Sequence, residues 1–152
     1  MKKYRFRALL FFLSLLCFIT PLTHAANDET LAVITDKNNP LNTLSFDDLK
    51  RIYLRKTLLA ANGIRWLPLN LPVENEFRRG FSLALFEQLP EDQEQYWNEQ
   101  YFQGISPPEV LVSEEAVLRF VVITPGSIGY VRKSVVDGRV KILKTINIKT
   151  NR

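Results

Sequence analysis

Residues 122–131, VITPGSIGYV, join two kinds of periodicity. Behind them, residues 113–123 (SEEAVLRFVVI) space Ala116, Val117, Phe120 and Val121 as the inward stripe of a helix. Ser113 stands where its hydroxyl can cap that helix's first amides. Pro125 and Gly126 then stop it, since proline lacks an N–H and glycine accepts the left-handed turn that leaves a helix. Residues 127–131 (SIGYV) follow as a strand. Helix, Pro-Gly break and strand together form one repeat of a layered α/β fold.

The upstream chain supplies more such units. Residues 31–35 (LAVIT) form a short apolar, β-branched run that predicts a buried strand, broken by DKNNP. Residues 45–54 (SFDDLKRIYL) predict a helix in which Ser45 caps, Asp48 sits at capping-box spacing, and Leu49, Ile52 and Tyr53 make the apolar face. A turn is centred on Asn62-Gly63. Residues 66–72 (WLPLNLP) then run extended, and Pro68 and Pro72 predict an edge or short strand. A second helix starts from Glu74, with Phe77, Phe81 and Leu85 at four-residue spacing beside Ala84. A third starts at Pro90 (PEDQEQYWNEQYF) and gathers Tyr96, Trp97, Tyr101 and Phe102 on one side, a pattern that predicts core before a sugar or partner platform. Gly104 closes it, and residues 106–108 (SPP) are a stiff connector. Asp137-Gly138 predicts a hairpin turn before RVKIL. The expected fold class is α/β, a mostly buried mixed sheet flanked by about four helices.

The N-terminus directs the chain elsewhere. Lys2, Lys3, Arg5 and Arg7 precede an apolar run over residues 8–19 (ALLFFLSLLCFI), and TPLTHA places Thr23 and Ala25 at small-residue positions. Residues 1–25 are thus expected to be a cleaved signal peptide and 26–152 the mature domain. Pro21 ends the apolar run short of the roughly 20 residues that a membrane span needs. Leu16, which is not small, precedes Cys17, so a lipid anchor is not expected. The whole chain has 20 Lys+Arg and 16 Asp+Glu, but four of the bases and none of the acids belong to the leader. Its removal leaves a balanced domain without a basic tract, so a nucleic-acid partner is not expected. Cys17 and His24 leave with it. A domain lacking both residue types has no disulfide, no thiolate, no ordinary zinc site and no Ser-His-Asp triad. Asp/Glu chemistry stays open, but no acid pair stands out, so an enzyme is not expected, nor a metal or a cofactor.

The ordered set LAVITDKNNP, LSFDDLKRIYL, WLPLNLP, FRRGF, YWNEQYFQGISPPE and PGSIGYV resembles the phosphate-binding proteins of bacterial ABC importers, and more closely their short exported relatives. The resemblance implies a single lobe of the type-2 periplasmic binding-protein fold, where full-length members close two lobes on a ligand. It also implies a periplasmic module that takes phosphate or another small anion and works with a membrane importer or another periplasmic protein. Two features depart from the pattern. The Gly/Ser-rich phosphate loop and the Ser-Gly-Thr signature have no counterpart, and ENEF stands where short relatives often place a serine. Glu74 and Glu76 put acids on a first helical turn, and like charges about 4 Å apart cost on the order of 4 kcal/mol at an intermediate dielectric. Phosphate affinity is therefore expected to be poor. The alternative is a non-ligand-binding interaction module on the same fold.

Eight residues are candidates for ligand contact. Thr35, Asp36 and Asn38 follow the first strand, where open α/β sheets collect ligands, although a solvated turn is the simpler explanation of them. Asn75 and Arg78 could cap and neutralise an anion at the second helix, or Arg78 could pair with Glu74 or Glu76. Ser113 is a helix cap first and a donor second. Thr124 and Ser127 are either site wall or turn.

Overall fold

The computed structural model describes residues 26–151, so the leader lies outside the described residues. In chain order come β1 (Ala26–Asp36), α1 (Phe46–Tyr53), β2 (Leu67–Asn70), α2 (Glu76–Phe86), a 3-10 turn (Glu91–Gln93) running into α3 (Glu94–Phe102), β3 (Glu109–Val110), α4 (Glu114–Ile123), β4 (Ser127–Arg132), a second 3-10 turn (Lys133–Val135) and β5 (Val140–Asn151). The five strands make one mixed sheet in the order β3-β2-β4-β1-β5. β2 is parallel to β3 and β4, whereas β1 runs antiparallel to both β4 and β5.

Both faces of the sheet are covered, which explains the unbroken apolar run at its centre. Leu31, Ala32, Val33 and Ile34 of β1 are all fully buried. The two sides can be told apart on β4. A Cβ at Gly129 would lie 2.5 Å from Val117 Cγ1, so α4 packs on that face. The adjacent Tyr130 points the other way, with its ring stacked on Phe81 of α2 at 3.9 Å between centroids. Tyr53 of α1 joins the same group, 4.9 Å from Phe81. Burying each such side chain is worth about 1.5–3 kcal/mol, so this aromatic trio anchors α1 and α2 to the sheet.

The helix starts form as their sequences dictate. Ser45 Oγ accepts from Asp48 N at 3.0 Å, Asn75 Oδ1 from Phe77 N at 2.9 Å and Arg78 N at 3.3 Å, and Ser113 Oγ from Ala116 N at 3.1 Å. α2 therefore begins at Glu76, with Asn75 as its cap, two residues later than Glu74. Gly126 carries the turn out of α4 at φ 82°, where a Cβ would sit 2.3 Å from Arg65 O. Only glycine fits there on both counts.

Four expectations change. Asp137-Gly138 does not close a hairpin, because β5 pairs with β1 and β4 lies on the other side of β1. β2 is short but is not an edge. The two-residue β3 covers Leu69 and Asn70, leaving Leu67 and Pro68 open on that side, where a proline without an N–H does no harm. The third helix opens as a 3-10 turn. Its ring cluster does not enter the core: Tyr96 and Trp97 are half-buried, while Tyr101 and Phe102 are 72% and 89% exposed. α3 buries no residue completely, since it packs past the end of α1 through the Tyr96 hydroxyl on Leu54 O at 2.7 Å, away from the sheet.

β5 is longer than its five-residue signal. It pairs along the whole of β1, with Leu143 as a bulged residue between Lys144 and Ile142. The Leu143 carbonyl accepts from Leu44 N at 3.2 Å, so the bulge leaves that group satisfied.

Candidate functional site

The antiparallel course of β1 divides the candidate residues between the two ends of the sheet. Thr35 and Asp36 end β1 and Asn38 follows it, and the end of β1 lies beside the start of β4, through the pair Thr35↔Ile128. There they meet Thr124 and Ser127. Asn75, Arg78 and Ser113 stand at the other end, where β2 and β4 finish.

The first cluster is mostly knitted to itself. Thr35 is fully buried, its Oγ1 donating to Ser127 O at 2.9 Å and accepting from Asn39 Nδ2 at 3.1 Å. Ser127 is fully buried too, and its Oγ donates to Thr124 O at 2.6 Å. Asp36 accepts from Asn38 N at 3.0 Å in a tight turn. Asp36 and Asn38 do line a small cleft of about 250 Å³ with Asn62, Pro125 and Gly126. Its lining has no cation and includes the Asp36 carboxylate, so it disfavours an anion.

The second end is where helix starts face the strand ends. The Asn75 side chain occupies the first amides of α2, and Ser113 does the same for α4. Glu114, the first residue of α4, grips Arg132 of β4 on two sides: Arg132 N donates to Oε1 at 2.6 Å and Nε to Oε2 at 2.9 Å, with Nη2 2.8 Å from Oε2. The Glu114 hydrogen bonds hold the Arg132 pKa above its ordinary value, with smaller help from Glu29 and Glu76. The Arg132 guanidinium also lies 5.1 Å from the Phe77 ring. This arginine is committed.

Arg78 differs. It is half-buried on the first turn of α2 and forms no ion pair among the described residues. Burial lowers its pKa, and the nearby Tyr130 and Tyr53 hydroxyls oppose that. Those hydroxyls belong to a buried polar network. Tyr53 OH donates to Leu69 O at 3.0 Å; Tyr130 OH accepts from Leu71 N at 3.3 Å and lies 3.4 Å from Asn70 Oδ1. Neither tyrosine was a candidate on sequence grounds: Tyr53 read as part of an apolar face and Tyr130 as a strand residue. Only the partners of their hydroxyls distinguish them from phenylalanine. Among the described residues, no group of three His, Cys, Asp or Glu side chains is placed to hold a metal.

Comparison of the whole structure with solved proteins identifies the scaffold. It superposes on an ABC-type phosphate transport receptor from Vibrio cholerae with a TM-score of 0.63 and 15% identity, over 77% of this chain and 46% of the receptor. It superposes on PstS from Borrelia burgdorferi with a TM-score of 0.61 and 15% identity, over 79% of this chain and 48% of PstS. The chain thus has a phosphate-binding-protein-like α/β fold and spans about half the length of these proteins. No protein-family model and no curated protein matches its sequence.

The buried tyrosines predict an alkaline transition. Burial raises the Tyr130 pKa to about 12 and that of Tyr53 well above 10. A folded-state pKa raised above the unfolded value near 10 adds stability that is complete below pH ~10 and lost as pH climbs through the folded value. Urea denaturation should show stability falling between pH 10 and 12, a slope that Tyr130→Phe should flatten. Y130F should also cost about 1–2 kcal/mol at neutral pH through the unpaired Leu71 amide. An unchanged alkaline slope in Y130F would remove Tyr130 as its source.

Proposed function

We propose that the chain is an exported, periplasmic module of the substrate-binding type that takes a small anion weakly at the sheet end carrying Arg78. The supporting observation is Arg78 itself: a half-buried cation without an ion-pair partner among the described residues, beside two tyrosine hydroxyls and a helix start. An anion there would restore the charge balance that burial disfavours. Affinity is low on this reading, because Asn75 and Ser113 already use the amides that would cradle an oxyanion, and Glu76 and Glu114 add negative charge at both helix starts. The printed names of the structural relatives, a phosphate transport receptor and PstS, make phosphate the first anion to try and an ABC importer the first membrane partner. The module is read as a binder and not as an enzyme, since residues 26–152 contain neither Cys nor His.

Isothermal titration with phosphate and with sulfate is expected to give Kd values near ~1 mM, equivalent to about −4 kcal/mol, and Arg78→Ala should abolish the heat while leaving the circular dichroism unchanged. Silence from both anions at about ten times that concentration would sink the anion reading. Export rests on the leader. Intact mass of the protein recovered from the periplasm should begin at Ala26, the first residue of β1. Recovery only from the cytoplasm at full-length mass would count against export.

A second reading, an interaction module, draws on the exposed rings of Tyr101 and Phe102 and on the half-length coverage of the two-lobed relatives. A photo-crosslinking residue at position 102 should capture one discrete periplasmic partner, and Tyr101→Asp should prevent it. Capture unaffected by Y101D, or no capture, removes this reading.

A further inference from the structure

A second concave feature lies away from Arg78, along the open side of β2. It is a cleft of about 470 Å³ walled by Leu69, Leu111, Phe120 and the stiff Pro107-Pro108 step, with Arg55 on its lining. That volume is in the range of small-molecule sites. The cleft exists because β3 pairs only with Leu69 and Asn70, leaving Leu67 and Pro68 without a strand beside them.

Arg55 occupies a position where an arginine is unusual. α1 ends in a Schellman motif: Arg55 N donates to Ile52 O at 3.0 Å and Lys56 N to Arg51 O at 2.8 Å, with Arg55 at φ 59°. The left-handed residue of that motif is most often glycine, because a Cβ there is strained. The side chain that replaces it is only partly satisfied. Nη1 donates to Trp66 O at 3.1 Å, but Nε is buried and finds no acceptor among the described residues. Arg55 has no ion pair among them either, although the exposed Glu109 lines the same cleft. Burial, and then the neighbouring Arg65, hold its pKa below the ordinary arginine value. Arg65 adds a second positive charge nearby, Glu109 stands exposed at the rim, and the wall beside Arg55 is apolar. A non-glycine residue in this left-handed position, with a buried Nε lacking an acceptor among the described residues, points to a role for that side chain.

We propose that this cleft binds a small carboxylate with an apolar body, an aryl or medium-chain alkyl acid, its carboxylate on the Arg55 guanidinium and its body against Leu69, Leu111 and Phe120. The charge supplies orientation and the wall supplies burial, the division of labour usual in such pockets. This site is independent of the Arg78 reading, because small hydrated anions gain nothing from an apolar wall.

The test is a 1H–15N NMR titration of the purified protein with phenylacetate and octanoate, with 2-phenylethanol and inorganic phosphate as controls. Both acids should produce saturable shifts at the amides of Trp66, Glu109, Leu111 and Phe120, and phosphate should leave those amides unmoved. 2-Phenylethanol, which lacks the charge, should bind about tenfold or more weakly, the factor of a single charge-assisted contact. Arg55→Gly relieves the backbone strain, so its thermal midpoint should hold while acid binding falls by a similar factor. Arg55→Gln, of similar reach but uncharged, should show the same loss should the glycine variant be less stable. Absence of saturable shifts, equal binding of alcohol and acid, or full binding by both variants would overturn the proposal.

Discussion

β1 runs against its neighbour β4, and the distribution of chemistry over the molecule follows from that. The strand is buried on both faces at Leu31–Ile34, pairs with β5 along its whole length and with β4 over five residues. No other strand holds two long partners, so β1 fixes the register of the sheet. In a wholly parallel sheet the loops after β1 and β2 would open at one end and could converge on one ligand. Here they open at opposite ends. The Thr35–Asn39 turn becomes a structural clasp on Ser127, and Asn75, Arg78 and Ser113 gather at the end where β2 and β4 finish.

At that end, the price of a stable lobe is visible in its capping. Every amide that Asn75 or Ser113 satisfies is one fewer donor for an oxyanion, and the Glu114–Arg132 grip removes a cation from service. What remains is Arg78, near the hydroxyls of Tyr53 and Tyr130, whose rings pack on Phe81. The same aromatic trio that anchors α1 and α2 therefore defines the surroundings of the one arginine there without an ion pair among the described residues. Stability and any anion chemistry share residues, which limits how far this end could be altered without loosening the fold.

Much of the scaffold was legible beforehand, for identifiable reasons. Ser45 and Ser113 announce helix starts because short polar side chains satisfy amides locally, whereas Asn75, read as an anion contact, caps α2 instead. The stop at Pro125-Gly126 needs no partner elsewhere in the chain to be understood. The 3-10 opening of α3 and the start of α2 at Glu76 are local differences, and the larger misreadings concern long-range choices. Asp137-Gly138 has good turn chemistry, but whether the following strand pairs with β4 or crosses to the far side of β1 depends on which edge is already taken. Tyr101 and Phe102 have helical core spacing, but α3 packs past the end of α1 and never reaches the sheet. Pro68 correctly signalled an unpaired backbone position, though the strand carrying it has a neighbour further along.

The sequence by itself determined most of the alternation of helices and strands, the caps at Ser45 and Ser113, the stop at Pro125-Gly126 and the α/β class, since these depend on contacts within a few residues. Only the tertiary structure decided which candidate residues share a location, which arginine is committed and which is not, and that Arg55 and Arg78 occupy separate places. Strand direction and partner choice set those relations, and both are settled by the packing of residues far apart in the chain, about which local pattern is silent.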